Sequence, residues 1–360
     1  MHAAQPVPAI IGQPGVGPTV LQPQVLHPAD HLAIRRALRA SRLARRPLAL
    51  TLQLPFCANA CHFCTRCRVI TKDRSKADDY MRLLGREMET LSRQLDRRQQ
   101  VVQLHLSGGT PTFAGHRALV QLMQNLQRYF DLSDLPTIDA SVAIDPREVD
   151  WATLDLLRGL GFNRLSIMQP SLDPAVQQAI NRLQGEQQLA ECLTAARTLR
   201  FHSIGVEVMS GLPEQSLASF RQTLETLVAW QPERIRITRY HHQPQQYPLQ
   251  RRINRSRLPT NSEIKSARTW LEHYLHTAGY QQLQAGFFVL PQDPLAMAAE
   301  DNQLQATSEV ISSVLDCDSL GLGLGATSKV KGLSWRNTRQ LADWQQRIIR
   351  GQFAAEYQYP

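Results

Sequence analysis

The sequence predicts an α/β protein built as an open, partial (β/α)6 barrel, and three observations lead there. Six short β-rich runs alternate with six longer helical patterns, the signature of parallel strands joined by crossover helices. Six units fall short of the eight that close a TIM barrel. The residues best suited to chemistry come directly after strands, where such barrels carry their sites.

The 360 residues are 42% hydrophobic, enough to bury a sizeable core. No run of about 18 apolar residues occurs, and no basic stretch leads into an apolar one at the N-terminus. Neither a membrane span nor a signal peptide is expected, and the protein is placed in the cytoplasm. The formal charge of +9 favours acidic partners without choosing among them. Residues 1–28 are rich in Pro and Gly, lack any period, and read as a surface arm. Asp30 to Arg46 reads as a basic helix with Asp30 as its N-cap; a solvated face explains it better than nucleic-acid binding.

The β-rich runs are Leu48 to Phe56, Val101 to Leu106, Ile138 to Ile144, Arg164 to Met168, Ser203 to Met209 and Arg234 to Tyr240. Helical patterns fill the intervals and follow the last run: Lys76 to Leu95, Arg117 to Tyr129, Thr153 to Leu160, Leu189 to Leu199, Ser216 to Trp230 and Ser262 to Ala278. The expected organisation is an arm and basic helix over 1–46, the barrel core over 47–280, and a C-terminal extension over 281–360 that packs on the barrel.

Four of the six cysteines crowd into Cys57, Cys61, Cys64 and Cys67, just after the first strand, while Cys192 and Cys317 stand apart as expected core residues. This is the distribution of a metal site in a reducing compartment. Three thiolates at C-x-x-x-C-x-x-C spacing can each take one corner of a 4Fe-4S cube and leave one iron open to a small molecule such as S-adenosylmethionine (SAM). A structural zinc site is the lesser reading, because zinc ribbons pair two C-x-x-C knuckles across a longer loop. The role of Cys67 stays open between a further ligand and a bystander.

Ser107-Gly108-Gly109-Thr110-Pro111-Thr112 follows the second strand, where paired glycines are expected to bring backbone N–H groups close to a ligand. Glu207 lies in the fifth strand, before Gly211-Leu212-Pro213, placed to hold ribose hydroxyls or to be an edge carboxylate. Gly321, Gly323 and Gly325 imitate a dinucleotide fingerprint, but no βαβ unit surrounds them and a Rossmann site is rejected. Arg234, Arg236, Arg239, Tyr240, His241 and His242 lie on and after the sixth strand, where some face either the barrel mouth or solvent.

Taken in order, Leu54-Pro55-Phe56-Cys57, the Gly108-Gly109 turn, Asp145-Pro146-Arg147-Glu148, Gly161-Phe162-Asn163-Arg164-Leu165-Ser166, Asn181-Arg182, Gly211-Leu212-Pro213 and Leu320-Gly321-Leu322-Gly323 resemble one family. It is the oxygen-independent coproporphyrinogen III oxidase (dehydrogenase) family of radical SAM enzymes, and the likeness runs over residues 47–345. The resemblance implies a 4Fe-4S cluster on Cys57, Cys61 and Cys64, and SAM held by Gly108, Gly109, Thr110, Gln169, Arg182 and Glu207. It further implies a small-molecule porphyrinogen substrate, a flavodoxin- or ferredoxin-type electron donor, and a 5′-deoxyadenosyl radical that starts the oxidative decarboxylation of propionates in heme biosynthesis. Departures from the pattern are Arg66 at the position of a fourth cysteine, Thr51 for a tyrosine, Ala143 for a glutamate, and Pro170 for a glutamine, with Gln169 adjacent. The family's helical C-terminal domain is not expected before Pro360. Other readings are a heme-carrying relative with His241 and His242 as ligands, and an RNA-modifying radical SAM enzyme.

Overall fold

The computed structural model describes residues 24–25, 28–66, 68–135, 137–306, 311–313 and 316–359. Nearly all of the expected arm, and Cys67, lie outside the described residues.

All six predicted strands form. β1 (Leu48–Leu54), β2 (Val101–Gly108), β3 (Asp139–Ile144), β4 (Arg164–Met168), β5 (Ser203–Ser210) and β6 (Arg234–Arg239) stand parallel, side by side in chain order. Beyond β6, β7 (Gln281–Gln284) and β8 (Phe287–Val289) add an antiparallel edge, β8 next to β6. The chain then returns to the opposite edge, where β9 (Asp318–Gly323) pairs parallel with β1, Asp318 facing Leu48. β10 (Thr327–Val330), β11 (Leu333–Asn337) and β12 (Ala355–Tyr359) continue antiparallel from there, and Gln24–Val25 completes a sheet of 13 strands. Thus 281–359 contributes to both edges of the sheet that the core begins.

β9 was not anticipated as a strand. Both of its faces are covered, so it shows no alternation, and its glycines dilute the β-rich signal. A Cβ at Gly321 would lie 2.3 Å from the Thr327 carbonyl oxygen, which explains that glycine by strand packing and not by a nucleotide. At β1 the strand stops at Leu54 instead of reaching Phe56, because Pro55 has no N–H for the ladder.

Helices cover the outer face: α1 (Pro28–Leu43), α2 (Ser75–Ser92), α3 (His116–Tyr129), α4 (Trp151–Gly159), α5 (Glu186–Thr198), α6 (Leu217–Ala229) and α7 (Asn261–Thr277). Their stripes, including Leu84, Leu122, Leu157, Leu193 and Leu224, share one core with Leu52, Leu106, Val142, Ile167 and Val206 of the strands. Each such side chain contributes about 1.5–3 kcal/mol on burial. Among the described residues no helix is long and apolar enough to cross a membrane.

Side chains alternate along a strand, so the inner face carries the opposite set: Thr51, His105, Ser141, Ser166, Glu207 and Arg236. The strand N-terminal end of this face is closed. Asp139, Arg164, Ser203 and Arg234 open β3 to β6, and Asp139 meets Arg164 at 3.0 Å while Asp293 takes Arg234 at 2.8 Å and Ser203 at 3.0 Å. Phe287, Val289, Leu295 and Ile311 pack beside this network. Arg234 is therefore a half-buried tie at the closed end and not a mouth residue, and the C-terminal end of the strands is left for a site.

Candidate functional site

At Pro55 the chain leaves the sheet. Phe56–Cys57 pairs with Val69–Ile70, and Val69 N–H donates to the Pro55 carbonyl at 2.7 Å, so the cysteine loop is tied at its neck. Its far side is held by Asn181, which donates to the Ala60 carbonyl at 2.7 Å, and by the His62 N–H bond to Ile180 at 2.9 Å. Cys57, Cys61 and Cys64 are all buried, at 2%, 1% and 7% exposure, and none is in a disulfide. Cys61 and Phe63 share an apolar cluster with Val176, Ile180, Met209, Leu212, Tyr240 and Ile253.

Three guanidinium groups and one main-chain N–H approach the sulfurs. Arg68 Nη1 approaches Cys57 Sγ at 2.9 Å, Arg182 Nη1 and Arg147 Nη2 approach Cys61 Sγ at 3.6 and 3.8 Å, and the Arg66 N–H approaches Cys64 Sγ at 3.4 Å. Thr110 Oγ1 lies 3.5 Å from Cys57 Sγ. Two of these arginines are fixed by one carboxylate: Asp145 accepts from Arg147 at 2.7 Å and from Arg182 at 2.9 Å. Burial alone would raise the Asp145 pKa, but Arg182 and Arg147 overcome it and hold the group at about 2. Burial pushes the Cys57 thiol up, against the pull of Arg68 and Thr110.

This donor set fits thiolates that carry charge into a buried place, and donors to ligating sulfurs are the means by which a protein tunes an iron–sulfur group. Ser107 Oγ, Arg68 Nε and Arg182 Nε are buried without a protein partner around the same loop. Among the described residues no three Cys, His, Asp or Glu side chains converge on a single-ion position, so the fit rests on the three thiols and their neighbours, not on a ready cage for one ion.

Gly108 and Gly109 are needed for a close approach, as their motif suggested, but to the backbone of this chain. A Cβ on Gly109 would sit 2.3 Å from the Phe56 carbonyl oxygen, and Gly108 has φ +108° against Leu54. The N–H groups of Gly109 and Thr110 are taken by Leu54 and Phe56 at 2.6 and 2.7 Å, so they are not offered to a ligand. The turn instead clamps the cysteine loop onto β2 and delivers the Thr110 hydroxyl to Cys57. Gln169 is also turned inward: it is fully buried, donates to the Ser171 carbonyl at 2.8 Å and accepts from Gln184. Arg182 donates to the Met168 carbonyl at 2.8 Å, which holds it at the end of β4.

On the inner face Glu207 accepts from Ser166 Oγ at 2.7 Å and lies opposite Arg236 in register. Burial works against its charge, but Arg236, Arg66 and Ser166 draw the Glu207 pKa below the usual value. Burial, assisted by Arg66, lowers His105 to about 4, so its ring is neutral at physiological pH. Its Nδ1 lies 2.8 Å from Ser141 Oγ. Arg239 is exposed, and His242 Nδ1 is engaged by the Tyr240 hydroxyl at 2.8 Å.

The radical SAM superfamily model matches residues 53–227. The oxygen-independent coproporphyrinogen III oxidase of Pseudomonas aeruginosa is 40% identical over 338 residues, covering 94% of this chain and 73% of that protein. The chain belongs to the oxygen-independent coproporphyrinogen III oxidase family. The Escherichia coli member is 32% identical over 309 residues, 86% of this chain and 67% of its own length. A solved structure of coproporphyrinogen III oxidase from E. coli, described as a radical SAM enzyme, superposes with a TM-score of 0.87 at 30% identity, over 95% of this chain and 77% of that one. The resemblance drawn from the motif order is borne out, and with it the cofactor pair of radical SAM enzymes, a 4Fe-4S cluster and SAM. Neither the heme-carrying nor the RNA-modifying reading is favoured by these relatives.

Within this family frame, the structure brings Cys57, Cys61, Cys64, Thr110 and Arg182 together. Arg68 and His105 were not singled out from the sequence, and Asp145 and Arg147 were noticed only as part of a motif. The Asp-Pro-Arg run straight after β3 was a usable signal, since it stands at the strand end where sites form; Arg68 had none beyond nearness to the cysteines.

Proposed function

We propose that this protein is a radical SAM oxidoreductase acting on coproporphyrinogen III, with Cys57, Cys61 and Cys64 as the ligands of its cluster. The observation that carries the proposal is three buried thiols ringed by Arg68, Arg147 and Arg182 in a chain 40% identical to a coproporphyrinogen III oxidase over 94% of its length. When bound, the cluster and SAM would supply one-electron reductive cleavage of SAM to methionine and a 5′-deoxyadenosyl radical able to take a hydrogen atom from a propionate side chain, after which loss of carbon dioxide and of one electron to an acceptor would leave a vinyl group.

The chain's own residues set the stage for that chemistry. Arg68 and Arg147 offset the charge of the thiolates, while Asp145 keeps Arg147 and Arg182 from swinging away. Arg182, with a free Nε, and Glu207, fixed by Ser166, are the groups assigned to SAM. Gly108, Gly109 and Thr110, assigned to its methionine end, act there by seating the cysteine loop beside β2 and not by offering the Gly109 and Thr110 N–H groups, and Gln169 supports the end of β4 from behind. Arg236, on the inner face beside Glu207, suits a carboxylate of the substrate. Phe63 and its apolar cluster exclude water from one side of the loop.

The same reading places the protein in the cytoplasm, takes its electron from a flavodoxin- or ferredoxin-type donor, and divides the chain into arm and basic helix (1–46), barrel core (47–280) and packing extension (281–360). The test is an anaerobic assay of the reconstituted protein with SAM, a reductant and coproporphyrinogen III. The expected products are 5′-deoxyadenosine, carbon dioxide and a vinyl-bearing porphyrinogen. Cleavage of SAM that leaves coproporphyrinogen unchanged would overturn the substrate assignment.

A further inference from the structure

Residues 239–257 leave β6 and cross the cysteine loop. This strap holds five arginines, Arg239, Arg251, Arg252, Arg255 and Arg257, and no Asp or Glu. All five are exposed, whereas Tyr240 and Ile253 are buried in the same cluster as Cys61 and Phe63. Gln250 is buried and donates to the Phe63 carbonyl at 3.3 Å. Arg339 adds a tie from another element, donating to the Thr65 carbonyl at 3.1 Å and lying 5.7 Å over the Tyr247 ring. One side of the strap therefore touches the loop that carries the sulfurs, and the other presents guanidinium groups to water.

Surfaces that only solvate a fold mix both signs of charge, and a single-sign field serves to steer a partner. Among the described residues the acid in an ion pair with this strap is Glu214, 3.5 Å from Arg257 and itself exposed. His241 and His242 are pushed toward neutrality by burial and by Arg239 and Arg255. The charges that act on Glu207 and His105 on the inner face are Arg236 and Arg66, none of them from the strap. The strap's charge is thus separate from the place where the substrate's carboxylates belong, and it lies one layer of side chains from the cysteine loop.

We propose that the arginine strap is the docking surface for a small acidic one-electron carrier protein, seated so that its redox group lies over the cysteine loop. This rests on the cluster reading given above. In the encounter the carrier loses one electron to the cluster, and no bond or proton changes hands.

The experiment compares the reconstituted protein with its R252E/R255E and R252Q/R255Q variants. Binding of a purified acidic flavodoxin is followed at two ionic strengths, and SAM cleavage is measured with flavodoxin and, separately, with dithionite as reductant. Expected are salt-sensitive binding by the unmodified protein, a loss of at least about tenfold on charge reversal with the glutamine pair in between, and dithionite-driven cleavage within about twofold throughout. Unchanged flavodoxin binding in R252E/R255E would overturn the proposal. So would an equal fall of dithionite-driven cleavage, which would give the strap to substrate or SAM. If dithionite drives no cleavage even in the unmodified protein, the cluster reading fails instead, and the binding series still decides the docking surface.

Discussion

Replacing Asp145 by Asn removes the charge that fixes two guanidinium groups beside Cys61. Asp145 is 6% exposed and accepts from Arg147 at 2.7 and 3.0 Å and from Arg182 at 2.9 Å. Its pKa falls from 3.8 to about 2 on folding, which corresponds to about 2 kcal/mol of stability at neutral pH. Because the folded-state value is the lower one, this contribution is present above pH 3.8 and is lost as the pH falls toward 2. Asn also turns an amide N–H toward donors, and removal of one partner from a buried pair costs about 3–5 kcal/mol. The two estimates bracket an expected loss of about 2–5 kcal/mol at pH 7. Urea unfolding of the cluster-free protein and its D145N variant at pH 7 and at pH 3 measures it, and the gap should narrow at the lower pH. Equal urea midpoints at pH 7, or a gap that ignores pH, would refute the role assigned to Asp145.

Arg68→Gln deletes the 2.9 Å donor to Cys57 Sγ, so an electron-paramagnetic-resonance redox titration should find the cluster potential about 60 mV more negative, the tenfold step of a one-electron couple; an unmoved potential would remove Arg68 from the tuning set. Gly109→Ala forces a Cβ to within 2.3 Å of the Phe56 carbonyl and should cost about 3 kcal/mol along with iron uptake. Gly85→Ala, in α2 and meeting only the Asn125 amide at 3.0 Å, should stay within about 1 kcal/mol of the parent. Burial raises Glu87 from 4.5 to about 7 against its bonds from the Gly323 N–H and Asn337. Its contribution is thus full below pH 4.5 and lost as the pH rises through about 7, so between pH 5 and 8 the parent should lose about 2.5 kcal/mol relative to Glu87→Gln in urea melts.

The parallel strands were legible because each is bounded by a helix of clear period, and the cysteine loop because three thiols at that spacing have few uses. β9 was not, since its signal lies in pairing with β1 and in close backbone contact at Gly321, neither of which alters local pattern. The glycines at 108 and 109 were noticed for the right reason, a close approach, but the approaching partner is Phe56 and Leu54 of this chain. Side-chain direction was the hardest part. Gln169 lies just past the end of β4 and Arg234 opens β6, yet each side chain is drawn into a local network by residues from other segments, Gln184 and Asp293. The Asp145 hub was hidden for the same reason, because its second arginine, Arg182, arrives from beyond β4.

All of the proposed chemistry depends on an open-iron cluster held by Cys57, Cys61 and Cys64. Iron and sulfide analysis of the anaerobically reconstituted protein, with electron paramagnetic resonance after reduction in the presence and absence of SAM, tests it most directly. About four irons per chain, a signal that changes on adding SAM, and loss of both in Cys57→Ala, Cys61→Ala and Cys64→Ala are expected. Zinc in place of iron, or a cluster indifferent to SAM, would contradict the account.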